Sequence, residues 1–472
     1  PRVLMQRRFM STVFLALANS SHYSGVLRTR FIAELARHFR VLVLTPQLDD
    51  AIVKRDRYFR NGGVSYHRFP ITYPRFWNVL DRYLRVPLVS SFAHLTYMRY
   101  FYQRSHAPIR KLLMASRRLF PAFLFTTDRL TLWEVRWAPQ GKVLAELFRT
   151  HTPILVLTAT PGFTPFEAEI IVAAKRLGVQ TAAISINYDN LTSNGKLIRK
   201  TDYLAVWNNL MRREAKVLHR YSDERLGLVG CLRFDHYFYD EENPRFPSRE
   251  DFLKAKGLDP GRKTLVFAGP TPTNYPPRRE FIAELLRLKR DGHLDGDPNI
   301  LVRIHPNDSL ATYREFLGMP GMHFEGASRN VRLDGGKGVS MDEEDLLNLT
   351  ATLKYADVVL NFASTVAMEA AIFDRPVINV AFPDYRRIVY QYEYNKHIVD
   401  TGGVRLARSP EELSELVNMY FRNPALDREA RAKLLEFFIP FRDGRSWART
   451  MDFIVKITKP GSESFSLLPG KP

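Results

Sequence analysis

The 472-residue chain contains a single cysteine, Cys231. One thiol excludes an internal disulfide framework, and a cysteine-ligated zinc site with it. Cys231 reads as a small buried residue in a protein of a reducing, cytoplasmic compartment. No apolar run reaches the ~20 residues that a membrane-spanning helix needs. The opening stretch PRVLMQRRFMSTVFLALANSSHYSGV is basic and then apolar, like a secretory leader, but no small-residue cleavage site follows cleanly, and its apolar part reads as a first core strand. Short-period repeats and sustained heptads are missing, which excludes solenoids and coiled coils. Acidic residues are the scarce charge: 50 Asp+Glu against 69 Lys+Arg leave a net charge of +19. That surplus favours an anionic partner such as phosphate, an acidic lipid headgroup or nucleic acid.

What is present is ordinary globular composition, 45% apolar and 25% charged, at a length that supports two sizeable cores. Short aliphatic runs alternate with amphipathic stretches. STVFLALAN is followed by VLRTRFIAELARHF, where Leu27, Phe31, Leu35 and Phe39 recur at helical spacing, and then by RVLVLTP. FLFTT, PILVLTATP, TAAISIN, YLAVWN and LGLVGCL continue the series. This βαβ rhythm predicts a mostly parallel sheet covered on both faces. The stretch DEENPRFPSREDF, residues 240–252, is charged, proline-bearing and without strand character. It predicts a first domain over 1–239, a linker over 240–251 and a second domain over 252–440. The rhythm restarts with KTLVFAGP, a helix from about Arg278 to Arg290, NILVRIHP, MHFEG, EEDLLNLTATLKYA, DVVLNFAST and RPVINVAF. SPEELSELVNMYF opens with a capping box from Ser409 to Glu412, and the tail 459–472 reads as loose. The expected fold class is α/β, with two Rossmann-like domains facing across a cleft. Ligands of such open sheets sit outside the carboxyl ends of the strands.

Three strand-end elements of the second domain carry chemistry. In NFASTVAMEAAIF, Ser364 and Thr365 open a helix, where hydroxyls and free N–H groups can hold an anion. Glu369 lies about one turn deeper on nearly the same face and suits the two hydroxyls of a ribose. The plainer alternative makes Ser364 an N-cap and Glu369 a solvated helix residue. In NILVRIHPND, Pro306 ends a strand and directs His305, two positions after Arg303, out of the sheet edge. A histidine there can hold a phosphate oxygen and stabilise a departing nucleotide, or be satisfied within its turn. In FAGPTPTNYPP, Gly269, Thr271 and Thr273 can bring backbone N–H groups and hydroxyls to a pyrophosphate, or simply form a turn.

This combination resembles the nucleotide-binding half of GT-B glycosyltransferases. HP followed by a Ser/Thr pair is similar to the pattern of bacterial sialyltransferase and Kdo-transferase families that use CMP-sugars, with related signatures in CDP-glycerol glycerophosphotransferases. The resemblance implies a nucleotide held by His305, Ser364 and Thr365, a ribose contact from Glu369, and a last helix over 441–458 that crosses back onto the first domain. In that first domain ISINYDNLTSNGKL, residues 184–197, is similar to a WDNLTSKG segment of bacterial GT-B proteins from surface-polysaccharide loci, with Tyr188 in place of the Trp and Asn194 in place of the Lys. Asp189 is then a catalytic base, an orienter of a sugar hydroxyl, or an Asx-turn residue. Asn190 beside it, and Arg233 and Asp235 at the domain junction, belong to the same layout.

His22, in the loop NSSHYSG with Gly25 allowing close approach, is the second candidate base. Glu167, at the helix start in TPGFTPFEAE, is a third, or a helix cap. Residues 75–118 interleave nine basic side chains with aromatics around the single acid Asp81. The segment suits peripheral contact with an anionic bilayer, or forms a helical insert with solvated arginines. Nucleic-acid motifs are absent, so no nucleic-acid partner is expected. DEED at 342–345 opens a helix, where carboxylates suit the dipole, so no metal site is expected. The chain thus reads as a metal-independent glycosyltransferase without a cofactor, moving a sugar from a nucleotide-sugar donor to a glycan or glycolipid acceptor at the cytoplasmic face of the membrane. Rivals are a UDP-sugar 2-epimerase, a CDP-glycerol-type glycerophosphotransferase, and a degenerate GT-B module that only binds.

Overall fold

The computed structural model describes residues 10–46, 63–70, 127–193, 197, 199–272, 275–326 and 341–459. The basic, aromatic segment 75–118, residues 123–126 of the run FLFTT, Thr273 and the tail beyond 459 lie outside the described residues, and Thr127 opens a helix, Thr127–Trp137. The chain divides into two compact units, one built from the residues up to Asp235 together with those from Arg445 on, the other from His236–Gly444.

The first unit holds β1 (Thr12–Ala16), β2 (Arg40–Thr45), β3 (Val64–Arg68), β4 (Leu155–Thr158), β5 (Gln180–Ile184), β6 (Tyr203–Val206) and β7 (Leu226–Leu228). They form one parallel sheet in the order β3-β2-β1-β4-β5-β6-β7. Val13 and Leu15 pack on one face with Phe31, Ile32 and Leu35. Phe14 and Ala16 pack on the other with Leu147, Phe148 and Phe166. Burial on both faces is why these strands read as unbroken apolar runs. β3, with the sequence VSYHR, is a half-exposed edge strand, and no such run announces it.

The second unit holds β8 (Thr264–Ala268), β9 (Asn299–Arg303), β10 (Met322–Glu325), β11 (Val358–Asn361), β12 (Val377–Val380) and β13 (Arg405–Ala407). Their order is β10-β9-β8-β11-β12-β13, again all parallel. The helix Arg278–Arg290 falls where its periodicity placed it and buries Phe281, Ile282, Leu285 and Leu288. The helix Pro410–Arg422 has half of the expected box. Ser409 Oγ accepts from the Glu412 N–H at 3.2 Å, but Glu412 accepts from the N–H of Arg408, one residue outside the box.

The expected boundary at 240–251 is displaced. Asp240 is buried inside the second unit, where it accepts a 2.6 Å hydrogen bond from Thr350 Oγ1 and meets His236 Nδ1 at 2.7 Å. Of the charged residues in this stretch only Asp240 is buried, while Glu241, Glu242, Arg245, Glu250 and Asp251 are exposed. The helix Ser446–Ile457 groups with the first unit. Asp235 caps it, accepting from the N–H groups of Ser446 and Trp447 at 3.0 and 2.8 Å. Its Phe453 ring lies over Gly227, where a Cβ would stand 2.7 Å from ring carbons, so only glycine fits without displacing the ring.

One buried charge cluster braces the second unit. Glu325 accepts from Arg303 Nη1 (2.7 Å), Thr352 Oγ1 (3.0 Å) and Asn348 Nδ2 (3.1 Å), and pairs with Lys256. Burial alone would raise the carboxyl pKa, but Arg303 and Lys256 outweigh it and hold Glu325 down to about 2. Its ionised form therefore contributes stability above the unfolded pKa of about 4.3, and that contribution is lost as pH falls toward 2, roughly 3 kcal/mol in all. Glu325→Gln is expected to destabilise the protein by about 3–5 kcal/mol at pH 7 and to flatten this acid limb, read from urea unfolding at a series of pH values.

Candidate functional site

In each sheet the chain adds strands on one side of the first strand and then returns to the other side. The reversal lies between β8 and β11 in the second unit and between β1 and β4 in the first. Crevices for ligands open at such points.

In the second unit the loop after β8 lies against the loop after β9. Gly269 N–H donates to the Arg303 carbonyl at 2.8 Å. A Cβ on Gly269 would stand 3.2 Å from that oxygen and 3.5 Å from His305 N, so glycine permits this approach. Thr271 Oγ1 consequently lies 3.3 Å from His305 Nε2. His305 Nδ1 accepts from the Asn307 N–H at 3.0 Å, which leaves the neutral ring's proton on Nε2. Burial lowers the His305 pKa, and nearby Asp308 opposes that shift only in part, so the ring is neutral at neutral pH and still a donor. Pro306 follows half-buried in the turn. Asp308 fixes the loop, accepting from Arg278 Nε (2.5 Å) and Tyr313 Oη (2.8 Å). Asn307, Asp308 and Tyr313 were not singled out from the sequence, nor was a role for Arg278, whose bond to Asp308 joins residues 30 apart.

After β11, Asn361 Oδ1 accepts from the Ser364 N–H at 3.0 Å across a turn in which Ala363 has a left-handed φ of 47°. That conformation costs a non-glycine residue about 1 kcal/mol. Ser364 and Thr365 are both half-buried here, and the helix that follows, Val366–Ile372, has seven residues. Two expected donor contacts are corrected. Arg303 is held inside the unit by Glu325. Glu369 is buried, with Oε1 accepting from Thr365 Oγ1 at 2.7 Å and Oε2 accepting from the Tyr237 hydroxyl, so neither oxygen is open to a ribose.

In the first unit the expected loop NSSHYSG is instead a helix, Ser20–Val26, because Asn19 caps it by accepting from the His22 N–H at 3.1 Å. The His22 ring is buried. Its Nδ1 accepts from the Ala18 N–H at 3.2 Å and stands 3.7 Å from Glu167 Oε1. Burial lowers the His22 pKa, and Glu167 offsets this in part. Glu167 forms a capping box with Thr164 at the start of the helix Pro165–Arg176 and also accepts from Thr160 N (2.8 Å) and Thr160 Oγ1 (2.5 Å).

Asp189 opens the short helix Asn190–Ser193, its carbonyl accepting from Thr192 N and Ser193 N at 3.0 and 2.9 Å. Burial pushes its carboxyl pKa up, against a hydrogen bond from Ser193 and the charge of Arg233. Arg233 donates to Asn187 Oδ1 at 3.1 Å, which gathers Asn187, Asp189 and Arg233 at the loop after β5. Asn187 was not foreseen. The Asn190 carboxamide oxygen is engaged within that loop, accepting from Asn187 N at 3.0 Å. Among the described residues no group of His, Cys, Asp and Glu is arranged to hold a metal ion, and no helix is long and apolar enough to cross a membrane.

Two Rossmann-like units, each an all-parallel sheet with its loops gathered at one reversal point, are GT-B-type architecture. The chain belongs to the CDP-glycerol:poly(glycerophosphate) glycerophosphotransferase family, whose model matches residues 170–456. Among solved structures it is similar to the UDP-GlcNAc 2-epimerase from Neisseria meningitidis bound to UDP-GlcNAc, with 10% identity, TM-score 0.54, and coverage of 94% of this chain and 100% of that one. S. aureus MnaA in complex with UDP gives 13% identity, TM-score 0.53, and 98% and 99% coverage. The wall teichoic acid polymerase TagF soaked with CDPG gives 11% identity, TM-score 0.51, and 96% and 89% coverage. At such identities the likeness is one of fold. No curated protein matches the chain.

The four hydrogen bonds on Glu167 predict a structural residue. Glu167→Gln is expected to lower unfolding stability by about 2 kcal/mol while leaving the turnover of the folded fraction within about twofold, measured by denaturation and by transfer assays on the same preparation.

Proposed function

We propose that this protein transfers a phosphoryl-linked alcohol of the glycerophosphate type from a CDP-activated donor to a hydroxyl of a growing cell-surface polymer. The family match supports this over the sugar transfer expected from the sequence. The observation that carries it is the neutral His305, whose Nε2–H stands beside the Thr271 hydroxyl at the strand reversal of the second unit. Ser364, on the next strand end, adds a hydroxyl. A diphosphate accepts such donors without requiring a formal cation in contact with it.

In this reading the acceptor oxygen attacks the β-phosphorus of the donor. The bond from that phosphorus to the bridging oxygen breaks, and CMP departs with the electron pair. His305 Nε2–H and the two hydroxyls stabilise charge on the departing phosphate. The acceptor proton passes to a carboxylate, for which Asp189 is better suited than His22. Asp189 is half-buried with a raised pKa, as a general base requires. The His22 ring is buried, and its Nδ1 already accepts a backbone proton. The reading includes no metal and no cofactor, so turnover is expected to survive a chelator. It also includes docking of the basic segment 75–118 on an anionic bilayer, where each basic side chain adds about 1 kcal/mol.

His305→Ala is expected to lower transfer from CDP-glycerol by about 100-fold or more while keeping the melting temperature within a few degrees. CMP at 100 times its dissociation constant is expected to add about 2.7 kcal/mol of stability to the wild type. Full turnover in the alanine variant, or no stabilisation by any nucleotide, overturns the reading.

A further inference from the structure

A tryptophan on a protein surface leaves a large apolar ring in water, and its indole N–H gives that ring a polar edge. Two such rings stand on one helix of the first unit, Thr127–Trp137, with Trp133 40% and Trp137 62% exposed. Arg129 and Arg136 of the same helix are exposed as well. At 3.6 residues per turn these four positions fill a stripe about 100° wide. The Arg136 guanidinium lies 5.6 Å from the centre of the Trp137 ring, so charge and ring stand side by side. By its position Asp128 falls outside that stripe. Glu134, the other acid of the helix, is buried.

The opposite face of the helix is held in place. Val135 and Ala138 pack with Val172. Glu134 Oε1 accepts from Arg199 Nε at 2.6 Å, and both side chains are buried. Arg176 donates to the carbonyls of Val135 and Ala138 at 2.8 and 2.5 Å. The two tryptophans are thus presented outward by a helix braced from beneath. Leu177, the residue after Arg176, is a further exposed apolar side chain.

A stripe of this kind suits an anionic bilayer. Indole rings settle at the level of the lipid headgroups, and arginines beside them meet lipid phosphates. The net charge of +19 draws the chain to such a surface. A second copy of the chain is a poorer occupant, because a two-fold contact through this stripe would gather the arginines of both copies. A stable protein partner engages roughly 20–30 residues a side, far more than one face of an 11-residue helix presents.

We propose that the exposed Arg/Trp face of the helix Thr127–Trp137 is a membrane-docking surface, with Trp133 and Trp137 entering the headgroup layer of an anionic bilayer. This rests on the bilayer docking proposed above, and it adds to the segment 75–118 a contact made by a helix of the first unit.

The test is binding of the full chain to vesicles of phosphatidylcholine with about one quarter phosphatidylglycerol, read by sedimentation and by quenching of tryptophan emission with acyl-brominated lipid. The wild type is expected to bind, with its emission quenched. Trp133→Phe with Trp137→Phe keeps aromatic rings in place and is expected to remove about half or more of that quenching. Trp133→Ala with Trp137→Ala is expected to weaken binding about tenfold. Arg129→Gln with Arg136→Gln is expected to do the same on these vesicles, and to change little on phosphatidylcholine alone. Transfer from CDP-glycerol to a water-soluble acceptor is expected to stay within about twofold in every variant. If the alanine pair fails to fold, the phenylalanine pair still reports the contact. Quenching that persists in the phenylalanine pair and disappears in Trp77→Phe confines the contact to the segment 75–118 and overturns this inference alone. Self-association of the wild type that the alanine pair abolishes, with vesicle binding unchanged, overturns it too. No vesicle binding by the wild type overturns the bilayer docking and this inference together, and leaves the transfer reaction standing.

Discussion

A parallel sheet delivers the carboxyl end of every strand to one edge, and the order of strands decides which loops become neighbours there. In the second unit that order sets β9, β8 and β11 side by side, and the close approach of Gly269 to the Arg303 carbonyl draws two of their loops into contact. A side chain at position 269 would push against backbone, which cannot swing aside as a flexible side chain can. The proximity of Thr271 to His305 follows from that one permitted approach. On the function proposed above, the chemistry is largely a matter of positioning, with neutral hydrogen-bond donors set at the place where charge develops.

The electrostatics of the molecule divide sharply by depth. At the surface, exposed pairs such as Arg279 with Glu315 are screened by solvent. Inside, two sets of charges form closed groups: Arg303, Lys256 and Glu325 in one unit, and Arg199 with Glu134 in the other at 2.6 Å. Such groups tolerate burial because each member satisfies another. They also explain why Arg303, two residues before His305, is held inside the unit. Arg303 and His305 share a face by the two-residue strand period, but the deeper of the two meets Glu325 on the neighbouring strand β10 before it can reach the edge.

The architecture was largely legible in the sequence because doubly covered parallel strands leave dense aliphatic runs, as at Val13–Ala16 and Val358–Leu360, and because helices such as Arg278–Arg290 bury one regular stripe. The edge strand β3 and the three-residue β13 leave no such trace. At the candidate site, residue types were readable and orientations were not. The patterns HP and Ser-Thr with a glutamate one turn on located His305, Ser364, Thr365 and Glu369. Whether Glu369 faces ligand or interior depends on Tyr237, 132 residues earlier, and no local spacing encodes that. The loop NSSHYSG was misread as irregular because Ser and Gly are poor helix formers. The Asn19 cap and burial of Tyr23 and Val26 outweighed that preference. The charged stretch near Asp240 was read as a linker because composition reports charge and does not separate the buried Asp240, bonded to Thr350 and His236, from its exposed neighbours.

The helix Ser446–Ile457 gives the first unit a discontinuous chain, and this bears on the order in which the molecule can assemble. The second unit is contiguous and can close its core as soon as Gly444 has emerged from the ribosome. The first, although most of it is synthesised earlier, keeps the sheet surface over Gly227 bare until Phe453 arrives, and the two carboxylate oxygens of Asp235 wait for the amides of Ser446 and Trp447. Maturation would then run against the direction of synthesis, with the earlier-made half sealed last.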